Sequence, residues 1–179
     1  MKRPIWILLF LACLLPALAV GTPVPPAPAR WCTDGAGFLS EAARASVDAQ
    51  LEAYERQTGR QVIVYIGVTT GGIPIEEWAV RAFESWGVGK KGKDDGAALF
   101  IFAQDQALRI EVGYGLEGDV PDAVANRIIQ EVMLPKIQAG DRDGAVRAGV
   151  ASLLRAASGE PGQGAGSETA AGASSGPTV

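Results

Sequence analysis

Two stretches of the sequence are apolar at nearly every position, and they restrict the fold more than any other feature. Residues 61–69 are mostly β-branched, and residues 97–103 contain no charged side chain. Successive side chains of a strand point to opposite faces of a sheet, so a continuous apolar run makes both faces apolar. Both faces then have to be covered. The sequence therefore predicts a sheet enclosed between two other layers.

Apolar residues three or four positions apart predict the helices that provide this cover. The first stripe follows Ser40, which can cap a helix, and it ends at Gly59. Pro121 is suited to the start of a later helix, and Pro135 should break or kink it. The four stripes are Ala43, Val47, Leu51 and Tyr54; Ile75, Trp78, Ala79, Ala82, Phe83 and Trp86; Val124, Ile128 and Val132, with Ile129 as a further candidate; and Val146, Val150 and either Leu153 or Leu154.

A third strand is predicted at residues 108–112. It follows residues 97–103 after a short polar turn, and this arrangement is typical of a hairpin. The predicted order of elements is α-β-α-β-β-α-α. This order predicts an α/β fold, a three-layer α/β/α sandwich with a small mixed central sheet.

The two ends of the chain differ in composition from the middle. Lys2 and Arg3 precede an apolar run that ends in an Ala-Leu-Ala sequence, which predicts a signal peptide over residues 1–19. Residues 20–30 contain four prolines and predict an extended linker. Residues 158–179 are rich in Gly, Ala and Ser and predict a disordered tail. We therefore expect a folded domain over residues 31–157 in an exported protein, periplasmic or secreted, whose mature chain has no transmembrane anchor.

Composition excludes several kinds of chemistry. The chain has no histidine, which removes Ser-His and Cys-His nucleophiles and His-based zinc sites. Signal cleavage would leave Cys32 alone, so no internal disulfide is expected, and we predict that Cys32 is a semi-buried apolar residue. The net charge is −4 and becomes more negative when Lys2 and Arg3 are removed. An acidic domain of this kind offers no surface for nucleic acid.

Two segments match the pattern G-x-G-x-x-G, beginning at Gly87 and at Gly113. The first lies between a predicted helix and a predicted strand, which is the reverse of the order in dinucleotide-binding folds. The second follows a hairpin strand, and no later strand is predicted to carry the ribose-binding acid. We therefore reject nucleotide binding and interpret these glycines as turn positions that need positive φ.

Acidic residues cluster in the loops at the ends of the predicted elements. Loop ends of an α/β sheet can converge on one crevice, and oxygen ligands without His or Cys select Ca²⁺ or Mg²⁺. The alternative is that these acids cap helices, form a turn at Asp95-Gly96 or are simply solvated. The candidate metal ligands are Asp34, Asp94, Asp95, Glu117, Asp119 and Asp122.

Several motifs occur in an order that resembles a known family. They are Asp34-Gly-Ala-Gly-Phe-Leu-Ser40; Glu76-Glu77-Trp78; Trp86-Gly87-Val88-Gly89; Asp94-Asp95-Gly96-Ala97-Ala98-Leu99; Ile110-Glu111-Val112-Gly113-Tyr114-Gly115-Leu116-Glu117-Gly118; Asp122-Ala123; Pro135; and Gly140-Asp141. Together they resemble the TPM domain family of exported bacterial, thylakoid-lumen and receptor-accessory proteins. The resemblance covers about residues 31–156.

The resemblance implies an α/β/α sandwich and a divalent-cation site, usually for Ca²⁺, formed by acidic loop residues. Carried over to this chain, the implied ligands are Asp34, Asp94, Asp95 and Asp122, with Glu117 and Asp119 beside them. Plant members are described as acid phosphatases acting on small phosphoesters. Bacterial relatives often carry a methanol dehydrogenase label, which we reject here because the sequence contains no convincing cofactor fingerprint.

Two functions remain open at this point. The first is a non-enzymatic Ca²⁺-binding module of the cell envelope that helps to maintain membrane-protein complexes, with an envelope membrane protein as partner. The second is a metal-assisted acid phosphatase, in which a carboxylate acts as nucleophile or base. In that case Lys90, Lys91 or Lys93 would hold the phosphoester, although lysines in such a loop can also serve only solubility.

Overall fold

The structure is a computed structural model that describes residues 24–159. A single four-stranded sheet has the order β1-β2-β3-β4. Its first three strands are parallel, and β4 runs antiparallel to β3. The strands are β1 (Cys32–Asp34), β2 (Gln61–Gly67), β3 (Gly96–Phe102) and β4 (Ala107–Val112); the helices are α1 (Glu41–Thr58), α2 (Ile75–Trp86), α3 (Asp122–Arg127), α4 (Leu134–Gln138) and α5 (Arg142–Ala157).

Helices cover both faces of the sheet, as the apolar strands require. One face packs against α1, α5 and the α3–α4 region around Val64, Leu99 and Ile110. The other face packs against α2 through a cluster of aromatic rings. In that cluster the ring centroids of Trp78 and Phe102 lie 4.7 Å apart, in an edge-to-face arrangement. The predicted α/β class and three-layer order are confirmed.

The helix ends follow from local chemistry. The Ser40 hydroxyl accepts a hydrogen bond from the backbone N–H of Ala43 and so caps α1. At the other end Gly59 adopts φ 73° and its N–H bonds the Glu55 carbonyl, which is a glycine C-cap. Asp141 caps α5 by accepting from the N–H of Gly144 at 2.8 Å. The predicted start and end of α1 are therefore confirmed.

A π-helical turn, Ile128–Met133, joins α3 to α4 and precedes Pro135. The predicted break at this proline therefore takes the form of a change in helical winding followed by a short helix. Met133 is fully buried and packs on Gly149 of α5, where an added Cβ would lie 2.6 Å from the Met133 sulfur. Gly149 thus allows α5 to approach the π turn closely.

The sequence analysis missed β1, because a strand of three residues has too little pattern to recognise. This strand is held by Asp48 of α1, whose side chain is 3% exposed. Asp48 accepts a hydrogen bond from the N–H of Cys32 at 2.9 Å and pairs with Arg30. Cys32 is fully buried, beyond the semi-buried position expected, and burial followed by the nearby Asp48 charge raises the pKa of its thiol to about 12.

The proline-rich segment lies against the domain. Residues 24–30 form neither helix nor strand. The Trp86 indole N–H nevertheless donates to the Pro25 carbonyl at 2.8 Å, and Val24 packs against the aromatic cluster under α2. Contacts with the folded unit therefore begin before residue 31.

Two predictions fall wholly or largely on residues outside the described range. They are the signal peptide at residues 1–19 and the disordered tail, of which only Ser158 and Gly159 are described. Within residues 24–159, the helices are all too short or too polar to cross a membrane.

Replacing Asp48 by Ala should lower the free energy of unfolding by about 1–3 kcal/mol, because the buried N–H of Cys32 loses its acceptor. The matched control is Glu52→Ala on the same helix, where an exposed pair with Arg56 is lost. That change should cost less than about 0.5 kcal/mol. Urea unfolding measures both, and equal effects would contradict the anchoring role of Asp48.

Candidate functional site

The β3–β4 hairpin determines where the acidic loops lie. Gly96, at the start of β3, pairs with Gln61 at the start of β2. Because β4 is antiparallel, its last residue, Val112, lies beside Ala97. The loop before β3 and the loop after β4 therefore meet at one end of the sheet. Five of the six candidate ligands occupy this end: Asp94, Asp95, Glu117, Asp119 and Asp122.

Asp34 lies at the opposite end of the sheet. It pairs with Ile66 near the end of β2, whereas Asp95 directly precedes Gly96 beside Gln61. Five residues of extended strand separate these levels by about 16 Å. A single site formed by all six acids is therefore not what the structure shows.

The Asp34 carboxylate organises its own loop. Its Oδ1 accepts the N–H groups of Ala36 and Phe38 at 3.0 and 3.2 Å, and its Oδ2 accepts that of Leu39 at 2.8 Å. These bonds satisfy the backbone of the turn between β1 and α1. This arrangement supports the alternative, structural interpretation of this acid.

The first concave region at the five-acid end is a cleft of about 570 Å³ beside α2, which we call the α2 cleft. Its lining includes positively charged, negatively charged and apolar side chains. Asp94 lies in it with φ 49°, and the exposed ring of Tyr114 stands at its rim. The residues that line it are Val80, Phe83, Glu84, Gly87–Lys91, Asp94 and Glu111–Tyr114.

The second concave region is a groove of about 390 Å³ along β4, which we call the edge groove. It is lined by Arg109–Val112, Glu117 and Val120–Asp122, and it shares Glu111 and Val112 with the α2 cleft. Arg109 pairs with Glu111 at 3.0 Å on the same face of the strand. Glu117 and Asp122 are exposed on the other wall of the groove. Three carboxylates thus border one groove.

The remaining two acids of this end have partners. Asp95 accepts the N–H of Lys90 at 2.9 Å and so closes the lysine loop. Asp119 forms an ion pair with Arg60 at 3.0 Å, and Arg60 also donates to the Ala157 carbonyl at the end of α5. Asp119 therefore connects the loop to the start of β2 and the last turn of α5.

Glycines allow the two loops to touch. A Cβ on Gly113 would lie 2.2 Å from the Asp94 carbonyl oxygen, and one on Gly115 would lie 2.1 Å from that of Lys93. Gly113, Gly115 and Gly118 all lack positive φ, so the turn interpretation was wrong for this segment. Close approach of backbones is the reason for glycine at positions 113 and 115. The turn interpretation was right for Gly87, Gly89 and Gly92, with φ of 62°, 97° and 81°.

Sequence analysis missed two carboxylates at this end, Glu84 and Glu111. Glu84 lies near the end of α2, and Glu111 lies on β4 between apolar residues. The signal that could have revealed Glu111 is that it is a polar residue of the hairpin, two positions before Gly113 of the Gly-Tyr-Gly segment.

Two other carboxylates, those of Asp105 and Asp143, accept hydrogen bonds that hold parts of the fold together. The pKa of Asp105 is lowered mainly because the backbone N–H of Thr70 donates to it at 2.6 Å, and Thr69 adds a second bond. The pKa of Asp143 is lowered because the Ser40 hydroxyl and N–H donate to it. The latter contact joins the starts of α1 and α5.

The three acidic side chains of the edge groove, Glu111, Glu117 and Asp122, suit a hard cation, since carboxylate oxygens are the ligands that such cations prefer. In the conformation of residues 24–159, no three Asp, Glu, Cys or His side chains are arranged to hold a metal ion. Rotation of the exposed Glu117 and Asp122 side chains would be needed to bring their oxygens together with Glu111.

The fold agrees with the comparison to known proteins. The family model of the TPM domain matches residues 32–156. This chain belongs to the TPM domain family. The TPM domain thus includes both clefts and every candidate acid. No curated protein matches the chain with statistical significance.

Solved structures share the fold. The N-terminal domain of a protein from P. gingivalis, solved by NMR, is 30% identical and superposes with a TM-score of 0.67, covering 73% of this chain and 83% of that one. A protein from Bizionia argentinensis is 16% identical with a TM-score of 0.60, covering 72% and 88%. An N-terminal domain from Corynebacterium glutamicum is 14% identical with a TM-score of 0.57, covering 85% and 96%. The last two show the fold alone.

Replacing Asp34 by Ala should destabilise this TPM domain by about 1–3 kcal/mol, because three backbone N–H groups lose their acceptor. Asp34→Asn keeps one accepting oxygen and should cost less. Any response of the melting temperature to Ca²⁺ should persist in both variants. Loss of that response in Asp34→Asn with an intact fold would instead make Asp34 a cation ligand.

Proposed function

We propose that this TPM domain is an exported, divalent-cation-binding module that acts in the cell envelope. The observation that carries the proposal is the edge groove, where Glu111, Glu117 and Asp122 border one solvent-open space. Asp94 lies nearby in the adjoining α2 cleft. Neighbouring carboxylates attract cations, because a bound cation reduces the repulsion between their negative charges.

Ca²⁺ suits the groove better than Mg²⁺. Ca²⁺ accepts six to eight oxygens in flexible geometry, whereas Mg²⁺ demands a near-octahedral shell and keeps more of its waters. Glu117 and Asp122 are exposed, so their oxygens can rotate toward an ion while water completes the shell. Arg109 already neutralises part of the Glu111 charge, which points to a moderate affinity.

The predicted signal peptide and the family resemblance support the envelope role. An exported acidic domain that binds Ca²⁺ can couple the local ion concentration to its contacts with an envelope membrane protein. This part of the proposal rests on family resemblance and on the N-terminal sequence.

Thermal unfolding in EDTA, Ca²⁺ and Mg²⁺ tests cation binding. Free Ca²⁺ at about 100 times its Kd should stabilise the protein by about 2.7 kcal/mol. The double variant Glu117→Gln/Asp122→Asn should lose this gain, while Glu76→Gln, an exposed acid on α2 outside both clefts, should keep it. The proposal fails if neither cation stabilises the protein or if the double variant responds like the wild type.

The α2 cleft favours a second candidate, a metal-assisted phosphatase. Lys90, Lys91 and Asp94 line one cleft whose volume suits a small phosphoester. The lysines would hold the phosphate, and the Asp94 carboxylate would act as nucleophile or base. A bound cation would supply polarisation of the phosphoryl oxygen.

Hydrolysis of p-nitrophenyl phosphate with and without Ca²⁺ or Mg²⁺ tests this candidate. Asp94→Asn should lower kcat by roughly 10²–10⁴-fold without unfolding the protein. Lys91→Gln should raise KM, while Lys93→Gln is the matched control because Lys93 does not line the cleft. A purified protein without activity, or variants that all behave alike, would leave only the binding function.

A further inference from the structure

Among residues 24–159, the outer edge of β4 carries backbone groups that have no strand partner. β4 is the last strand of the sheet, and the Gly113 N–H bonds the Gly96 carbonyl at 2.8 Å. Hydrogen-bonded pairs alternate along an antiparallel ladder, so this bond fixes which residues face β3. The N–H and C=O groups of Leu108, Ile110 and Val112 therefore point away from the sheet.

Within residues 24–159, this edge lacks three common protections against added strands, namely a loop hydrogen-bonded to it, a bulge and a proline, although it carries the paired charges of Arg109 and Glu111. Within the described part of the chain, no loop or side-chain hydrogen bond involves the main-chain groups of Leu108, Ile110 or Val112. All six residues of β4 pair in continuous register with β3, so β4 has no bulge, and it contains no proline. Natural edges are commonly blocked by one of these devices.

Concave and apolar surface flanks the same edge. The α2 cleft and the edge groove meet at Glu111 and Val112. Val80 and Tyr114, exposed by 38% and 83%, are two of the three exposed large apolar side chains in residues 24–159 and line the α2 cleft. Exposed apolar groups gathered beside a cleft are typical of interaction sites.

The charge around the edge selects the occupant. Glu84 and Asp94 in the α2 cleft, with Glu117 and Asp122 in the edge groove, are exposed acids. Three basic side chains, Lys90, Lys91 and Arg109, also line the two clefts, and the Lys90 ammonium lies close to Gly59 at the end of α1. With Glu111 the acids number five, so they outnumber the bases and the lining is acidic as a whole. Residues 160–179 have only glutamates as charged groups, and a second copy carries the same net charge of −4. Neither the C-terminal segment nor a second copy therefore complements the charge of this surface.

We propose that β4 accepts an extended, lysine- or arginine-bearing segment of a partner polypeptide as a fifth strand. The backbone of the segment would pair with Leu108, Ile110 and Val112, as in other cases of strand addition. One basic side chain would lie beside Glu84 and over the Tyr114 ring, where a cation is attracted to the aromatic face. This inference does not depend on cation binding.

Amide hydrogen exchange of the full protein in EDTA tests the proposal with two synthetic peptides, alternating lysine–valine and alternating glutamate–valine. In the free protein the outward amides of Leu108, Ile110 and Val112 should exchange faster than those of Arg109 and Glu111. The lysine peptide should slow exchange at the three outward amides by about tenfold or more at saturation. The glutamate peptide should leave them unchanged.

Two variants separate the backbone and charge contributions. Leu108→Pro removes an outward N–H without breaking the ladder to β3, and it should prevent protection by the lysine peptide. Glu84→Gln should weaken peptide binding by about tenfold, the effect of losing one charge-assisted contact. Glu76→Gln on the same helix should bind like the wild type. Melting temperatures establish that each variant is folded.

Three results would overturn the proposal. The first is no protection of the outward amides by the lysine peptide. The second is equal binding of both peptides, which would remove the charge argument. The third is concentration-dependent protection without peptide, which would make a second copy the occupant. Glu84 takes no part in the proposed cation site, so failure here and failure of Ca²⁺ binding are distinguishable.

Discussion

The pairing of β2 with β3 is the constraint on which the rest of the domain depends. All seven residues of β3 are buried, and β2 is buried at five of its seven positions. A strand pair of this kind must be enclosed on both faces, because each exposed apolar side chain would cost about 1.5–3 kcal/mol of lost burial. This requirement places α1 and α5 on one face and α2 on the other.

The same pairing explains where chemistry can occur. A fourth parallel strand after β3 would have needed a long crossover, whereas the short turn at residues 103–106 reverses the chain directly. The reversal returns β4 to the level where β3 begins, and the loops around Asp94 and Glu117 then meet at one end of the sheet. Gly113 and Gly115 let their backbones touch, which no residue with a Cβ would allow without displacement.

Particular residues show how far prediction from sequence reached. The stripe of α1, its cap at Ser40 and its end at Gly59 were correct, because these depend on neighbours within a few positions. β1 was missed because its three residues are defined by Asp48, which lies 16 positions along the chain from Cys32. Asp34 was grouped with the other acids because the sequence predicted that it lies in a loop. It did not predict at which end of the sheet that loop lies. Glu84 and Glu111 were missed because they lie within a helix and a strand, whereas all the candidate ligands were loop residues at the ends of elements.

The sequence by itself determined the layer order, the two ends of α1 and the membership of the TPM family, because periodicity and capping are local and the family motifs lie in fixed order. Only the tertiary structure decided which acids are neighbours. Strand register and the antiparallel return of β4 set those distances, and both arise from pairing between segments far apart in sequence. The open edge of β4 is a tertiary property for the same reason, since the absence of a neighbouring strand in the described range, residues 24–159, is visible only once the sheet is assembled.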